Sequence, residues 1–255
     1  MCKAYERVKA ARTKERLTGM HFINALINNF FELHGDRRFA DDAAVVGGIG
    51  QLNDMPVTVI ALEKGQDIKE KVRRNFGAAN PEGYRKALRL MKQAEKFNRP
   101  IICFIDTAGA FCGIGAEERG QSQAIAENLM EMMGLKVPVI SIIIGEGGSG
   151  GAIALAVADE VWIMEKAIYS VISPEGCASI LWKDASKAHE AASSLRLTAE
   201  DMYEFAVVER VICEKNKNEI TLSTLKDELY KKLVALSAID VNVRLDARYA
   251  RFRKF

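Results

Sequence analysis

The apolar run Val137-Pro138-Val139-Ile140-Ser141-Ile142-Ile143-Ile144 ends in Gly145-Glu146-Gly147-Gly148-Ser149-Gly150-Gly151 and passes straight into Ala152-Ile153-Ala154-Leu155-Ala156-Val157-Ala158. β-Branched residues in an unbroken apolar run predict a strand buried on both faces. The glycines then predict a tight turn, and the alanine-rich segment a short helix. At such a helix start the first backbone N–H groups lack intrahelical partners and point outward. Glycine lets a ligand approach them with no Cβ in the way. That is the local geometry of an anion or oxyanion site, and it needs an α/β scaffold to hold it.

The rest of the chain fits such a scaffold. Its 255 residues are 49% hydrophobic, enough for a large core. Net charge is +2, which gives no global pull toward nucleic acid or membrane. No apolar run approaches the roughly 20 residues of a membrane span. The N-terminus, Met1-Cys2-Lys3-Ala4-Tyr5-Glu6-Arg7, lacks the apolar core of a signal peptide. Five cysteines, Cys2, Cys103, Cys112, Cys177 and Cys213, carry no C-x-x-C spacing. They read as free thiols of a cytoplasmic chain, and no metal site is expected.

Residues 3–17 are charged and helix-prone, and Thr18 is placed to cap a second helix running through Leu33, with Phe22, Ile23, Leu26, Ile27, Phe30 and Leu33 on one face. Val45–Ile49 and Val57–Ala61 read as a hairpin turning at Asn53-Asp54. Lys64 to Arg74 reads as a basic, irregular segment. Pro81 starts a helix carrying Tyr84, Leu88, Met91 and Ala94 at helical spacing. Two strand–loop–helix units follow: Ile101–Ile105, loop Asp106–Gly115 and helix Ala116–Met133, then Val139–Ile144 with the glycine turn and short helix. Repeated units of this kind predict mostly parallel strands. Val161–Met164, Tyr169–Ile172 and Val207–Ile212 read as later extended segments, Thr198 as a helix cap, and the chain from Thr221 as a helical tail ending in Arg244, Arg248, Arg251, Arg253 and Lys254. That basic tail is expected to be solvated or to touch another subunit.

Three motifs match the glycine stretch. Gly145-x-Gly147-x-x-Gly150 has dinucleotide-fingerprint spacing, with Glu165 where a ribose-binding acid belongs, but the following helix is too short. Gly147-Gly148-Ser149-Gly150-Gly151 matches a nucleophile elbow, which makes Ser149 a hydrolase nucleophile needing His189 and Asp184 from one polar stretch. No lysine follows the glycines, so a phosphate loop is excluded. The third reading is a bare oxyanion hole, in which Gly150 and Gly151 donate backbone N–H groups and no side chain attacks. It fits the shortage of catalytic side chains elsewhere, since His21 and His34 lie far away in the N-terminal region. Glu117 and Glu118, adjacent at a helix start, suit the helix dipole better than a shared catalytic water.

Further blocks narrow the choice: Glu32-Leu33-His34-Gly35-Asp36-Arg37, Arg73-Arg74-Asn75-Phe76-Gly77, Asn80-Pro81-Glu82-Gly83-Tyr84-Arg85-Lys86-Ala87-Leu88-Arg89-Leu90-Met91, Gly113-Ile114-Gly115-Ala116-Glu117-Glu118-Arg119-Gly120-Gln121-Ser122, and Tyr169-Ser170-Val171-Ile172-Ser173-Pro174-Glu175-Gly176-Cys177-Ala178-Ser179-Ile180-Leu181-Trp182-Lys183. Together with Gly145–Gly151, and in this order over residues 20–212, they resemble the carboxyltransferase alpha subunits of bacterial acetyl-CoA carboxylase. The resemblance implies a crotonase-like α/β spiral of β-β-α units in a single domain over 1–255, with an N-terminal helical region at 1–40, a core at 41–213 and a helical tail at 214–255. It implies transfer of a carboxyl group from carboxybiotin, borne by a biotin carboxyl carrier protein, to acetyl-CoA, giving malonyl-CoA for fatty acid synthesis. It also implies a carboxyltransferase beta subunit bearing a zinc ribbon, assembled with this chain as α2β2, with the active site between unlike subunits.

On that resemblance Gly150 and Gly151 are the paired N–H donors, with Gly147, Gly148, Gly109 and Ala110 lining the carboxybiotin site. Lys64, Arg73 and Arg74 are placed for CoA phosphates or a subunit contact. The chain departs from the family pattern at Ala108 and Cys112, where proline is usual, and at Phe111, where tyrosine is. The loop is therefore expected to be more mobile. Leu62, Gln66 and Ile68 depart likewise, which leaves a divergent enzyme or a non-catalytic scaffold for a beta-like partner as further readings.

Overall fold

The computed structural model describes residues 3–214 and 218–255. Cys2 lies outside them. The chain begins with α1 (Lys3–Ala11) and α2 (Gly19–Leu26), then β1 (Asn28–Glu32), β2 (Val45–Leu52) and β3 (Met55–Leu62). Next come α3 (Ile68–Arg73), α4 (Pro81–Lys96), β4 (Ile101–Thr107), α5 (Ile114–Glu118), α6 (Gln121–Gly134) and β5 (Val139–Gly148). The remainder is α7 (Ser149–Ile153), β6 (Glu160–Met164), β7 (Ile168–Ser170), α8 (Pro174–Trp182), α9 (Ala188–Leu195), α10 (Ala199–Glu204), β8 (Arg210–Ile212), α11 (Asn218–Ser237) and α12 (Val241–Phe252).

The strands form one mixed sheet in the order β1-β2-β3-β4-β5-β6-β8, with β7 also paired to β5. β2 and β3 form the antiparallel hairpin expected around Asn53-Asp54. From β3 onward the pairings are parallel. β5 is the pivot. β4 pairs along one edge out to Thr107 beside Gly147. On the other edge β6 pairs with Ile140–Ile143 and β7 with Glu146–Gly148. β4 is buried throughout and β5 nearly so, as apolar central strands require. Phe22 of α2 stacks on Phe104 of β4, with ring centroids 5.3 Å apart.

Several elements differ from the sequence expectation. The second helix stops at Leu26, because Ile27 is extended and Asn29 takes the left-handed φ of 52°. Phe30 therefore belongs to β1, an edge strand on β2, and the first forty residues are not all helical. The Lys64–Arg74 segment is not irregular throughout: Asp67 caps α3 by accepting from the Glu70 N–H at 2.8 Å. The helix expected over 116–133 breaks in two at Gly120, whose φ is +82°. The glycine stretch continues β5 as far as Gly148, and α7 opens at Ser149 rather than Ala152.

The basic tail is the largest correction. Arg244, Arg248 and Arg251 of α12 are buried, not solvated, whereas Arg253 and Lys254 are exposed. Arg248 grips Asp159 through Nε at 2.9 Å and Nη2 at 2.8 Å. Its Nη1 donates to the carbonyls of Met132 and Leu135 at 2.8 and 2.9 Å, which satisfies the end of α6. Asp159 also accepts from the Val139 N–H at 2.8 Å. The tail thus locks onto the start of β5.

Candidate active site

The ends of β4 and β5 and the start of α7 meet at one point. Ser149 takes φ 52° while Gly150 and the residues after it are helical. A left-handed residue leading into helical ones turns successive N–H groups toward one concavity. Ser149 is exposed, Gly150 half-buried and Gly151 buried. A Cβ on Gly151 would lie 2.6 Å from the Ala110 amide nitrogen and 2.8 Å from the Gly109 carbonyl carbon. A Cβ on Gly148 would run into the Ala108 carbonyl. The two loops therefore approach closer than any side chain allows. Gly150 differs, because its Cβ would meet only Ile125 methyl carbons, at 3.8 and 3.9 Å. Gly151 thus sits against Gly109 and Ala110 and Gly148 against Ala108, whereas Gly147 faces Tyr169 and Gly150 faces Ile125.

The 108–113 loop is fastened despite its missing prolines. Thr107 Oγ1 accepts from the Gly109 N–H at 3.1 Å and donates to the Gly109 carbonyl at 2.8 Å. Gln121 Nε2 donates to the Ala79 and Phe111 carbonyls, each at 2.8 Å. The Phe111 N–H donates to the Ala79 carbonyl at 3.0 Å. Cys112 is exposed, whereas Cys103 is buried and its thiol pKa is pushed up to about 12 by that burial.

A charged network lies beneath the cluster. Lys64 Nζ is 2.8 Å from Asp106 Oδ1 and 2.7 Å from Glu146 Oε2. Asp106 Oδ1 also accepts from the Glu146 N–H at 2.8 Å. Arg12 extends the network from Glu146 Oε1, at 2.7 Å, to Glu175, at 2.8 Å. Burial disfavours each charged form, yet Asp106 and Glu146 outweigh it and hold the Lys64 pKa above the usual lysine value. For Glu146 burial is likewise outweighed, by Lys64 and then Arg12, and the carboxyl stays below its ordinary range.

Lys64 is therefore engaged in ion pairs inside the chain. Arg74 is also buried, and its Nη1 donates to the Ala43 carbonyl at 3.0 Å. Of the three cations expected to meet phosphates, Arg73 alone has most of its side chain in solvent. Sequence reading missed Glu146 and Arg12, whose link spans 134 residues. It treated Tyr84 as packing. The Tyr84 hydroxyl is buried with no hydrogen-bond partner among the described residues, and would touch a Cβ on Gly151 at 2.9 Å.

Other residues fall away from the cluster. His21 closes a capping box with Thr18, its Nδ1 3.2 Å from the Thr18 N–H. His34 pairs with Asp41 at 2.8 Å. His189 is exposed on α9. Among the described residues no base lies within hydrogen-bond reach of the Ser149 side chain. Glu117 and Glu118 are exposed on α5. Among the described residues no three His, Cys, Asp or Glu side chains gather to hold a metal ion, and no helix is long and apolar enough to cross a membrane.

The family profile for acetyl co-enzyme A carboxylase carboxyltransferase-like proteins matches residues 2–255. A curated relative from Ruminiclostridium cellulolyticum, acetyl-coenzyme A carboxylase carboxyl transferase subunit alpha, is 69% identical over 211 residues, covering 83% of this chain and 81% of its own. The namesake from Streptococcus sanguinis is 56% identical over 256 residues, covering all of both chains. The chain belongs to the acetyl-CoA carboxylase carboxyltransferase alpha-subunit family. Solved structures agree on the fold of this alpha-subunit family member. Transcarboxylase 12S, with methylmalonyl-coenzyme A and methylmalonic acid bound, superposes with a TM-score of 0.70 at 18% identity, over 86% of this chain. The alpha-family chain spans 42% of that longer protein. A Pseudomonas malonate decarboxylase hetero-tetramer in complex with coenzyme A gives 0.68 at 15% identity, over 85% of this chain and 91% of its own. The α/β fold of this alpha-family chain is thus the crotonase-like one implied by its sequence.

Proposed function

We propose that this chain is the alpha half of a carboxyltransferase that moves a carboxyl group from carboxybiotin to acetyl-CoA in the cytoplasm. The C–N bond to the biotin ureido nitrogen breaks and a C–C bond to the acetyl methyl carbon forms. The methyl proton leaves for the freed biotin nitrogen. Negative charge gathers on the ureido oxygen as the carboxyl departs, and on the thioester oxygen as the proton is removed. Two sets of aligned donors suffice, each single donor being worth about 3–4 kcal/mol.

On this reading the amides at Gly150 and Gly151 face the ureido oxygen, with Gly147, Gly148, Gly109 and Ala110 around the biotin. The observation that carries it is the α7 start, left-handed at Ser149 and pressed against the Gly109-Ala110 backbone. The exposure of Ser149, Ala108 and Phe111 leaves this face open, which suits a second wall supplied by a beta subunit. That partner, carrying its own zinc ribbon, serves the thioester oxygen, a carrier protein delivers the biotin, and the assembly is α2β2.

The test is co-expression with a beta subunit, isolation of the complex, and malonyl-CoA-dependent carboxylation of free biotin. Activity in the complex, absent from either subunit alone, is the expected result. A stable complex inert toward malonyl-CoA and free biotin overturns the reading.

A further inference from the structure

Tyr84 lies one turn into α4 and is fully buried. Its hydroxyl oxygen has no hydrogen-bond partner among the described residues. Gln121, Asn128, Arg74 and Arg244 also bury one unpaired side-chain atom, but each bonds through another. Tyr84 has only the one polar side-chain atom, and it is idle. Burial, and then the nearby Asp42 carboxylate, holds its pKa above the ordinary tyrosine value, so the proton stays on the oxygen. A dry, unpaired hydroxyl lowers stability in a way that phenylalanine in the same place would not. Such a group is kept where a function uses it.

The hydroxyl stands where the site closes. A Cβ on Gly151 would lie 2.9 Å from it, 2.6 Å from the Ala110 nitrogen and 2.8 Å from the Gly109 carbonyl carbon. Tyr84 therefore fills the third side of the gap between Gly151 and the Gly109-Ala110 peptide. The root of α4 is anchored. Asp42 Oδ2 accepts from the Asn80 N–H at 2.7 Å, and the Ala79 carbonyl accepts from both Gln121 Nε2 and the Phe111 N–H. One short stretch, residues 79–84, thus holds the 108–113 loop with its backbone and reaches Gly151 with a side chain.

We propose that Tyr84 is a positioning residue for carboxyl transfer, its hydroxyl being the spacer that sets the distance between Gly151 and the Gly109-Ala110 peptide. This rests on the carboxyltransferase reading, in which the Gly151 amide faces the ureido oxygen and Gly109 and Ala110 lie around the biotin. Tyr84 touches no substrate and acts through the two backbones in front of it. A rigid ring on an anchored helix keeps its oxygen in place throughout the reaction. Donors that need no rearrangement stabilise a developing charge best. Without that oxygen the two backbones close toward each other, and a shift of about 1 Å can cost roughly 10²-fold in rate.

The experiment compares the full chain with Tyr84→Phe, each in complex with a beta subunit, in malonyl-CoA-dependent carboxylation of free biotin and in thermal melts. Tyr84→Phe is expected to lower kcat by roughly 10- to 100-fold. KM for malonyl-CoA should stay the same, and the melting temperature should hold or rise as the unpaired hydroxyl goes. A hydroxyl that merely supports the fold would do the reverse, lowering the melting temperature and leaving kcat of the folded complex unchanged. Gly151→Ala supplies a second measurement, independent of activity. Its methyl group can turn into the space the hydroxyl vacates, so the fall in melting temperature it causes should be smaller in the Tyr84→Phe background than in the wild type. Equal falls in both backgrounds overturn the proposal, as does a Tyr84→Phe complex with wild-type kcat. An inert wild-type complex refutes the carboxyltransferase reading and the spacer with it, whereas an active one indifferent to Tyr84→Phe refutes the spacer alone.

Discussion

The Lys64 ammonium lies 2.7 Å from the Glu146 carboxylate, with 17% and 10% of the two side chains exposed. Glu146 sits within β5 between the glycines, and Lys64 follows β3, so one ion pair joins two strand ends beneath the glycine cluster. Asp106, from β4, completes the triad.

Lys64→Met strands the buried Asp106 carboxylate and leaves Glu146 to Arg12 alone. We expect a loss of roughly 3–5 kcal/mol in chemical denaturation, since breaking a buried pair strands its partner. Adding Glu146→Gln should restore part of it. The folded-state pKa of Glu146 is depressed, so its contribution is present above the ordinary glutamate value and is lost as pH falls through the folded value. Lys64 is shifted up, so its contribution is complete below the ordinary lysine value and fades as pH rises through the folded one. Stability against pH for Glu146→Gln should therefore be flatter than wild type on the acid side.

Gly150 and Gly151 should respond oppositely to alanine. At Gly151 the methyl group meets the Ala110 nitrogen at 2.6 Å, so the loops must separate. Turnover with a beta subunit should fall about 10²–10³-fold, the loss typical of one displaced donor. Gly150→Ala puts its methyl group against Ile125 without a clash. It should fold normally, keep most of its turnover, and gain up to about 0.5–1 kcal/mol from reduced chain entropy. Equal loss of activity at both positions would count against the site.

Ser149 is at φ 52°, and among the described residues no base lies within hydrogen-bond reach of it. Ser149→Ala should therefore leave carboxyl transfer nearly intact, where a hydrolase would lose all activity. Ser149→Gly relieves the left-handed strain and should raise stability by about 1 kcal/mol. Thermal melts and biotin carboxylation measured on the same samples check both statements.

Arg248 is held by Asp159 and the carbonyls of Met132 and Leu135. Its removal uncovers a carboxylate side chain only 3% exposed. Arg248→Ala should cost about 3–5 kcal/mol in urea denaturation. Arg248→Lys should recover little of this, because an ammonium cannot reproduce the planar fork.

Much of the fold is legible because its signals are local. The apolar run 139–144 and the hairpin at Asn53-Asp54 declare themselves through composition and period. Phe30 deceived because a short apolar run fits both a helical and a strand period, and pairing with β2 settled it. The glycines up to Gly148 read as a turn because glycine disfavours strands. Neighbours on both edges, β4 and β7, supply the ladder that overrides that preference. Lys64 and the arginines of α12 looked like surface charge, since their carboxylate partners lie 42 to 89 residues away.

The glycine amides stand at the end of β5, a central strand paired along both edges. They share the stiffness of the sheet's middle rather than the play of a surface loop. Their alignment is set once, when the chain folds, and is not rebuilt at each reaction cycle. On the carboxyltransferase reading, the tempo of catalysis then belongs to the swinging biotin arm that comes and goes, not to any closing movement of this chain.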